Sequence, residues 1–395
     1  MLKEKIRLIT KQLHEEVVAN RRHIHAHPEL SFEEYETSEF IAAQLDKLGI
    51  PYVKKADTGI VAELKGDLDS DEVIALRADM DALPIKEANE VSYRSQNEGV
   101  MHACGHDVHT ASLLGTAKIL CKLKPEFGGT VRLIFQPGEE KLPGGASLMI
   151  AEGALRNPAP QGIVGQHVMP LIETGKVGFR SGKYMASTDE LYVTVKGKGG
   201  HGAMPQFNID PVLIAAHIIV ALQQIVSRNA DPKTPSVLSF GKVIANGATN
   251  VIPNEVKLEG TFRTLDEQWR SDAHAKMKKL AEGMAESMGG TCEFVIERGY
   301  PYLINEEKLT ASARKSAEEY LGKENVIDLD IWMAAEDFSY YSQEISGCFY
   351  RLGTRNEARN ITSSVHTPTF DIDEDALLIG PGLMAYIALK ELGNL

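Results

Sequence analysis

Between Glu190 and Glu297 the chain reads strand (LYVTVKG), helix (Pro211 to Ser227), strand (SVLSFGKV), strand (EVKLEGTFRT), helix, strand (TCEFVIE). That β-α-β-β-α-β order is the ferredoxin-like arrangement, and few folds accommodate it. Its second helix is marked by Ala273, Met277, Leu280, Met284 and Met288, which recur on one helical face. The flanking stretches have a different rhythm. Before Gly182 come an amphipathic N-terminal helix (Ile6, Ile9, Leu13, Val17), a helix from Ser38 to Leu48, and the β-branched runs VIALRA, TVRLIF and GIVGQHV, with a helix from Val108 to Leu123 among them. After Gly299 come a helix from Leu309 to Leu321, a strand CFYRLGT and a last helix from Ala376 to Leu392. Alternation of this kind builds an α/β layer on a mixed, largely parallel sheet flanked by helices. With 395 residues the chain exceeds one ordinary core. The expected layout is therefore one α/β domain from 1–182 and 298–395, interrupted by an inserted ferredoxin-like domain at 183–297.

Charge narrows the partner class. A net charge of -13 leaves no basic face for phosphates, so nucleic acid is excluded and a small ligand is expected. The longest apolar stretch, Pro211 to Val226, reads as too short for a membrane span and is interrupted by His217, Gln223 and Gln224. The N-terminal segment lacks the uninterrupted apolar core of a signal peptide. Cys104, Cys121, Cys292 and Cys348 form no C-x-x-C pair, which fits a reducing, cytoplasmic location.

The densest chemistry lies in MHACGHDVHTASLLG, where His102, Cys104, His106, Asp107 and His109 crowd together before a helix. In an extended segment Cys104 and His106 would present a thiolate and an imidazole to one centre; the alternative is a polar loop with Asp107 capping the helix. In FQPGEEKLPGGA, Pro137 and Gly138 break the strand, so Glu139 and Glu140 can address one site from a turn, one as a ligand and one as a base. Otherwise they are a solvated acidic loop. His167 closes GIVGQHV and His366 lies in SSVHTPTF. Collected, Cys104, His106, Glu140, His167 and His366 offer mixed N, O and S donors, too many for one tetrahedral ion and suited to two. Asp79 and Asp81 follow VIALRA at a strand's carboxyl end and are expected at the site mouth, with Asp81 suited to fixing a ligand histidine or the base from behind.

In order and spacing, ALRADMDALPI, MHACGHDVHTASLLG, QPGEE, GQHVMP, GKGGHGAMP, ATNVIPNEVKLEGTFRT, AAEDFS and VHTPTFDIDEDAL resemble the M20 metallopeptidase family over nearly the whole chain. The branch they resemble is the aminoacylase-like amidohydrolases, which includes hippurate hydrolases, N-acetyldiaminopimelate deacetylases and auxin-conjugate hydrolases. The resemblance implies that Cys104, His106, Glu140, His167 and His366 hold two divalent ions, zinc or manganese, with cobalt or nickel also compatible. It makes Glu139 the general base and the inserted domain a lid through which the protein forms a homodimer. It implies that His201 stabilises the oxyanion from the partner subunit, and that Asn250 and Arg263 hold the substrate, Arg263 by its carboxylate. Glu336 falls near the centre by the same comparison. One departure is Gln206, where many relatives carry histidine after the proline of the lid motif.

The implied reaction is hydrolysis of the amide of N-acyl amino acids to an amino acid and a carboxylate. Water made acidic by the ions would lose its proton to Glu139, which then protonates the leaving nitrogen. Two other readings stay open at this level. One is a dipeptidase or aminopeptidase, which would need an acid such as Glu336 to hold a free amine; the other is a metal-binding scaffold without catalysis.

Overall fold

The computed structural model describes residues 2–394 and divides into two compact units. The larger is built from the chain up to Lys183, from Ile304–Ile331 and from Asp337 onward; the smaller from Tyr184–Leu303 and Trp332–Glu336.

In the larger unit, β1 (Tyr52–Lys55), β2 (Gly59–Lys65), β3 (Leu68–Asp79), β4 (Gly128–Gln136), β5 (Gly162–Glu173), β6 (Val177–Phe179), β15 (Val326–Asp328) and β16 (Gly347–Arg355) form one sheet in the order β1-β2-β4-β3-β5-β16-β6-β15. The central run β4-β3-β5-β16 is parallel, whereas β1 and β2 pair antiparallel on one side. Every residue of β4 is buried, as a strand must be when helices cover both faces of its sheet. Those helices are α1 (Leu2–Ala26), α2 (Tyr35–Leu48), α3 (His106–Leu123), α4 (Gly145–Ala151), α7 (Glu307–Leu321), α8 (Phe338–Glu344) and α9 (Gly380–Glu391). Helix α3 is buried along nearly its whole length, packed between α1 and α9 with the sheet beneath. That enclosure fits TASLLGTAKIL, which carries apolar residues on every side and among whose buried polar residues Thr110 and Thr116 are paired with backbone carbonyls and Lys118 with Glu16. The register sets Asp79 of β3 level with Gln136 of β4 and His167 of β5 beside Arg351 of β16. Chemistry-bearing residues thus gather towards the carboxyl ends of parallel strands, where open α/β sheets bind ligands.

In the smaller unit, β8 (Asp189–Lys196), β10 (Ser236–Ile244), β12 (Glu255–Thr264) and β13 (Thr291–Arg298) form an antiparallel sheet in the order β10-β12-β8-β13. Two helices, α5 (Pro211–Gln224) and α6 (Glu267–Ser287), share its apolar core. Asp210 caps α5 by accepting hydrogen bonds from the Val212 and Leu213 amides, with Pro211 pre-set for the first turn. Buried Arg270 of α6 reaches Asp189 of β8 at 2.5 Å, and His274 reaches the same carboxylate at 2.6 Å. Short strands β9 (Gly200–His201) and β11 (Val251–Ile252) pair with each other, while β7 (Gly182–Met185) and β14 (Leu303–Asn305) lie where the chain passes between units.

Two expectations need correction here. The buried stripe of α6 is Ala273, Met277, Ala281 and Ala285; Leu280, Met284 and Met288 are only partly buried beside it. The face is rotated because the small side chains of Ala273, Ala281 and Ala285, with Met277 among them, let α6 lie close to the sheet. Helix α5 continues through a π turn at Ile225–Asn229, so Pro211–Asn229 is a 19-residue helical run of mean hydropathy 1.5, long and apolar enough to cross a membrane by length and composition. One face of it, with Ile214, Ala215, Ile218, Leu222 and Ile225, is buried in the sheet's core, while Val212, Leu213 and Val220 are exposed.

Candidate metal centre

A sharp turn delivers Cys104 and His106. Gly105 between them has φ +86° and a Cβ there would lie 2.5 Å from Val168, so only glycine lets the chain reverse against β5. His106 is then the first residue of α3 rather than part of an extended segment. Cys104 Sγ lies 3.5 Å from His167 Nε2 and 3.4 Å from His366 Nε2. His366 Nε2 is also 3.2 Å from Glu140 Oε1. Three donor groups result, in each of which the ligating atoms lie within 4.8 Å of one another: Cys104, His106 and His167; Cys104, Glu140 and His366; His106, Glu139 and Glu140. All six residues predicted for the centre are therefore gathered at one place.

The donors point inward because other groups hold their far sides. His106 Nδ1 is 3.1 Å from Asp81 Oδ1, and its buried Nε2 has no hydrogen-bond partner. His167 Nδ1 donates to the Val168 carbonyl at 2.7 Å, which turns the unprotonated Nε2 to Cys104. Both rings engage Nδ1 behind them and turn Nε2 to the cluster, as rings that bind a cation through Nε2 do. Thiolate, imidazole and carboxylate together suit borderline divalent ions, and an orphaned Nε2 in a buried cluster of acids is what such ions would satisfy. The residues fit the group. His366 sits at φ 61°, a left-handed conformation costly for a branched-free but bulky side chain, and its amide donates to Ala103 at 2.7 Å.

Charge balance in the cluster is tight. Hydrogen bonding to Cys104 and Glu140 pushes the His366 imidazole up to about 10. Burial and the Glu140 carboxylate push the Cys104 thiol up. Burial, reinforced by Arg351, holds His167 well below the usual imidazole range and so neutral.

The turn at 137–140 is braced from behind. Asp81 Oδ2 accepts from the Glu140 amide at 3.0 Å and from Ser31 at 2.6 Å. Glu34 Oε1 accepts from the Gly138 and Phe32 amides, each at 2.8 Å, and Oε2 accepts from Thr58 at 2.7 Å. Glu139 Oε1 accepts from the Asp337 amide at 3.3 Å, and its Oε2 lies 4.0 Å from His106 Nε2. Asp337 in turn accepts from Arg77 at 2.8 Å and from the Ala146 amide at 2.9 Å. Asp79 is fully buried rather than at a mouth, held by Arg77 at 2.5 Å and by His109. Asp107 does not cap α3; its carboxylate is bound by Arg21 at 2.7 Å and His25 at 2.8 Å. The sequence reading missed Asp337 and Glu34, whose only local signal is their place beside other acids in AAEDFS and SFEEYE.

The remaining predicted residues lie in the smaller unit. His201 is exposed on β9, opposite Val251 of β11, and the Gly202 amide donates to the Asn250 carbonyl at 2.8 Å. The motifs carrying His201 and Asn250 are thus one surface feature. Arg263 on β12 is partly buried and donates to the Met333 carbonyl at 3.2 Å. Glu336 is buried at the end of the 332–336 stretch.

Comparison with known proteins places the chain among hydrolases. The chain is 43% identical over 306 residues to an N-acyl-L-amino acid amidohydrolase of Geobacillus stearothermophilus, covering 77% of this chain and 82% of that one. It is 37% identical over 393 residues, 98% of each chain, to thermostable carboxypeptidase 2 of Saccharolobus solfataricus. A solved Bacillus subtilis structure, described as a dinuclear metal binding peptidase from the M20 family, matches with TM-score 0.83 and 36% identity over 98% of this chain and 100% of that one. The model of peptidase family M20/M25/M40 matches residues 75–390, and the chain belongs to that family.

Proposed function

We propose that the protein hydrolyses the amide bond of N-acyl amino acids, releasing an amino acid and a carboxylate, with two divalent ions held by Cys104, His106, Glu140, His167 and His366. The observation that carries this reading is the placement of Glu139 beside the donor cluster, next to Glu140 on a turn fixed from three sides. Divalent ions held by these donors would supply Lewis acidity, which makes a water at the site a readier proton donor. Glu139 removes a proton from the attacking water and returns it to the leaving nitrogen, without which the amine cannot depart. Its carboxylate is kept in place by the Asp337 amide, so it can swing little between the two transfers.

In this reading the smaller unit, close to the expected insert at 183–297, is a lid and dimerisation domain. The exposed apolar residues Val212, Leu213 and Val220 on α5 support a surface covered by a second copy. His201, exposed on β9, donates to the carbonyl oxygen as negative charge builds there, from the partner subunit. Arg263 takes the substrate carboxylate through a bidentate contact, Asn250 orients the substrate beside His201, and Glu336 lines the substrate side. Zinc and manganese are the ions best suited to this donor set, cobalt and nickel following. Four free cysteines, one of them a ligand, fit the cytoplasm.

A second reading, a peptidase releasing a carboxyl-terminal amino acid, is favoured by the likeness to the carboxypeptidase. Both reactions free an amino acid with its α-carboxylate and differ only in the acyl side. Amino-acid release from N-acetyl, N-benzoyl and longer N-acyl amino acids, beside matched dipeptides, separates them when stripped protein is reloaded with Mn²⁺ or Zn²⁺. Metal-dependent cleavage of the acyl compounds is expected; cleavage of dipeptides alone replaces the proposal with the peptidase reading.

A further inference from the structure

His109 belongs to the histidine-rich motif, yet it is absent from the ligand set, and its surroundings state its role. It is buried in the first turn of α3, with its Nδ1 2.5 Å from Asp79 Oδ1. The backbone amide of Val168 donates to its Nε2 at 2.9 Å. An amide N–H can only donate to an unprotonated ring nitrogen, so the proton of this imidazole is on Nδ1, where Asp79 accepts it. The Nε2 lone pair, the one a cation would use, is already engaged. Val168 follows His167 on β5, and the His109 and His167 rings lie against each other with centroids 4.5 Å apart. Asp79 is itself anchored by Arg77 at 2.5 Å, and Thr110 donates to the Asp79 carbonyl at 2.9 Å. A chain of buried hydrogen bonds thus runs from Arg77 through Asp79 and His109 to the peptide that carries His167.

We propose that His109 is a positioning residue: a neutral imidazole, protonated on Nδ1, that clamps the His167–Val168 peptide to Asp79 and so fixes where His167 presents its Nε2. The proposal rests on reading His167 as a metal ligand. It deepens that reading, because groups behind ligands typically alter metal affinity 10- to 100-fold. His109→Phe keeps a ring of similar size but leaves the Val168 amide and an Asp79 oxygen unpaired. His109→Gln restores both contacts, its amide oxygen accepting from Val168 and its nitrogen donating to Asp79.

The test combines histidine ¹⁵N NMR of the wild-type protein, before and after two equivalents of Zn²⁺, with Co²⁺ titration of wild type, His109→Phe and His109→Gln followed by visible absorption. His109 is expected to remain the Nδ1–H form in both NMR states, while His106 and His167 shift on loading. His109→Phe is expected to bind Co²⁺ about 10- to 100-fold more weakly with an altered spectrum, and His109→Gln to recover most of both. A wild-type affinity and spectrum in folded His109→Phe would overturn the proposal while leaving the metal centre standing. So would an Nε2-protonated or metal-shifted His109, and the NMR arm decides even if His109→Phe does not fold. Absence of Co²⁺ binding in the wild type would overturn the metal centre and, with it, this role.

Discussion

Glu34 offers a quantitative test of the brace behind the Glu139–Glu140 turn. Its carboxyl is fully buried and, through burial first and the neighbouring Asp81 charge second, is raised from 4.5 to about 7. Between those values the native protein holds a proton that the unfolded chain has released, so stability falls as pH rises, by about 1.4 kcal/mol per unit. Over the window the loss comes to about 3 kcal/mol; below 4.5 the penalty is absent, and above about 7 it is complete. Glu34→Gln keeps the acceptor for the Phe32 and Gly138 amides and offers Thr58 a donor instead, so geometry is retained and the ionisation is removed. Urea unfolding of metal-free wild type and Glu34→Gln from pH 5 to 8.5 is the assay. The variant is expected to gain on the wild type steadily across the window, reaching about 3 kcal/mol near pH 8. A stability difference that does not change with pH would refute the reasoning.

Other expectations follow from the same contacts. Asp81→Asn weakens its acceptor to His106 and should lower metal affinity about 10- to 100-fold by competition with a chelator. In the smaller unit, against the cost of burial, hydrogen bonds from His274 and Arg270 hold the Asp189 carboxyl below its ordinary 3.8. Its stabilisation is therefore present above about pH 4 and lost as pH falls through the lower native value. Asp189→Asn should cost about 3 kcal/mol at pH 7, leaving buried Arg270 poorly paired, and should flatten the acid limb of the stability profile. Gly138→Ala places a Cβ at φ +55° and 2.3 Å from the Phe32 ring. It should add about 1–3 kcal/mol of strain and, by displacing both glutamates, lower turnover by about 10² in steady-state assays.

How much of this was legible in the sequence depends on the range of the contact. The strands β3, β4, β5, β8, β10, β12, β13 and β16 were readable because burial on one or both faces leaves a run or an alternation. β6 and β15, each three residues at the sheet's far side, leave none. The candidate donors were readable because their motifs are distinctive, and the structure brings Cys104, His106, Glu139, Glu140, His167 and His366 together. What braces them was not. Glu34 meets Gly138 across 104 positions and Asp337 meets Gln136 across 201, and such meetings follow from strand register and helix packing rather than spacing. Asp79 was misplaced for the same reason: a strand end can face solvent or a buried arginine, and only Arg77 two residues back, turned to the same side, decides it. The helix expected from Pro211 to Ser227 ends two residues beyond that, at Asn229, and its apolar run counts as long enough for a membrane span because His217, Gln223 and Gln224 lie on its exposed face and do not interrupt it.

The central claim is that this donor cluster holds two divalent ions and that Glu139 moves the proton. Its most direct test is titration of stripped wild type and Glu139→Gln with Mn²⁺, counting bound ions while following amino-acid release from an N-acyl amino acid. Both proteins are expected to take up about two ions per chain, and the variant to turn over about 10² to 10⁴ times more slowly. Unchanged turnover in Glu139→Gln, or full activity in wild-type protein stripped of metal, would contradict the account.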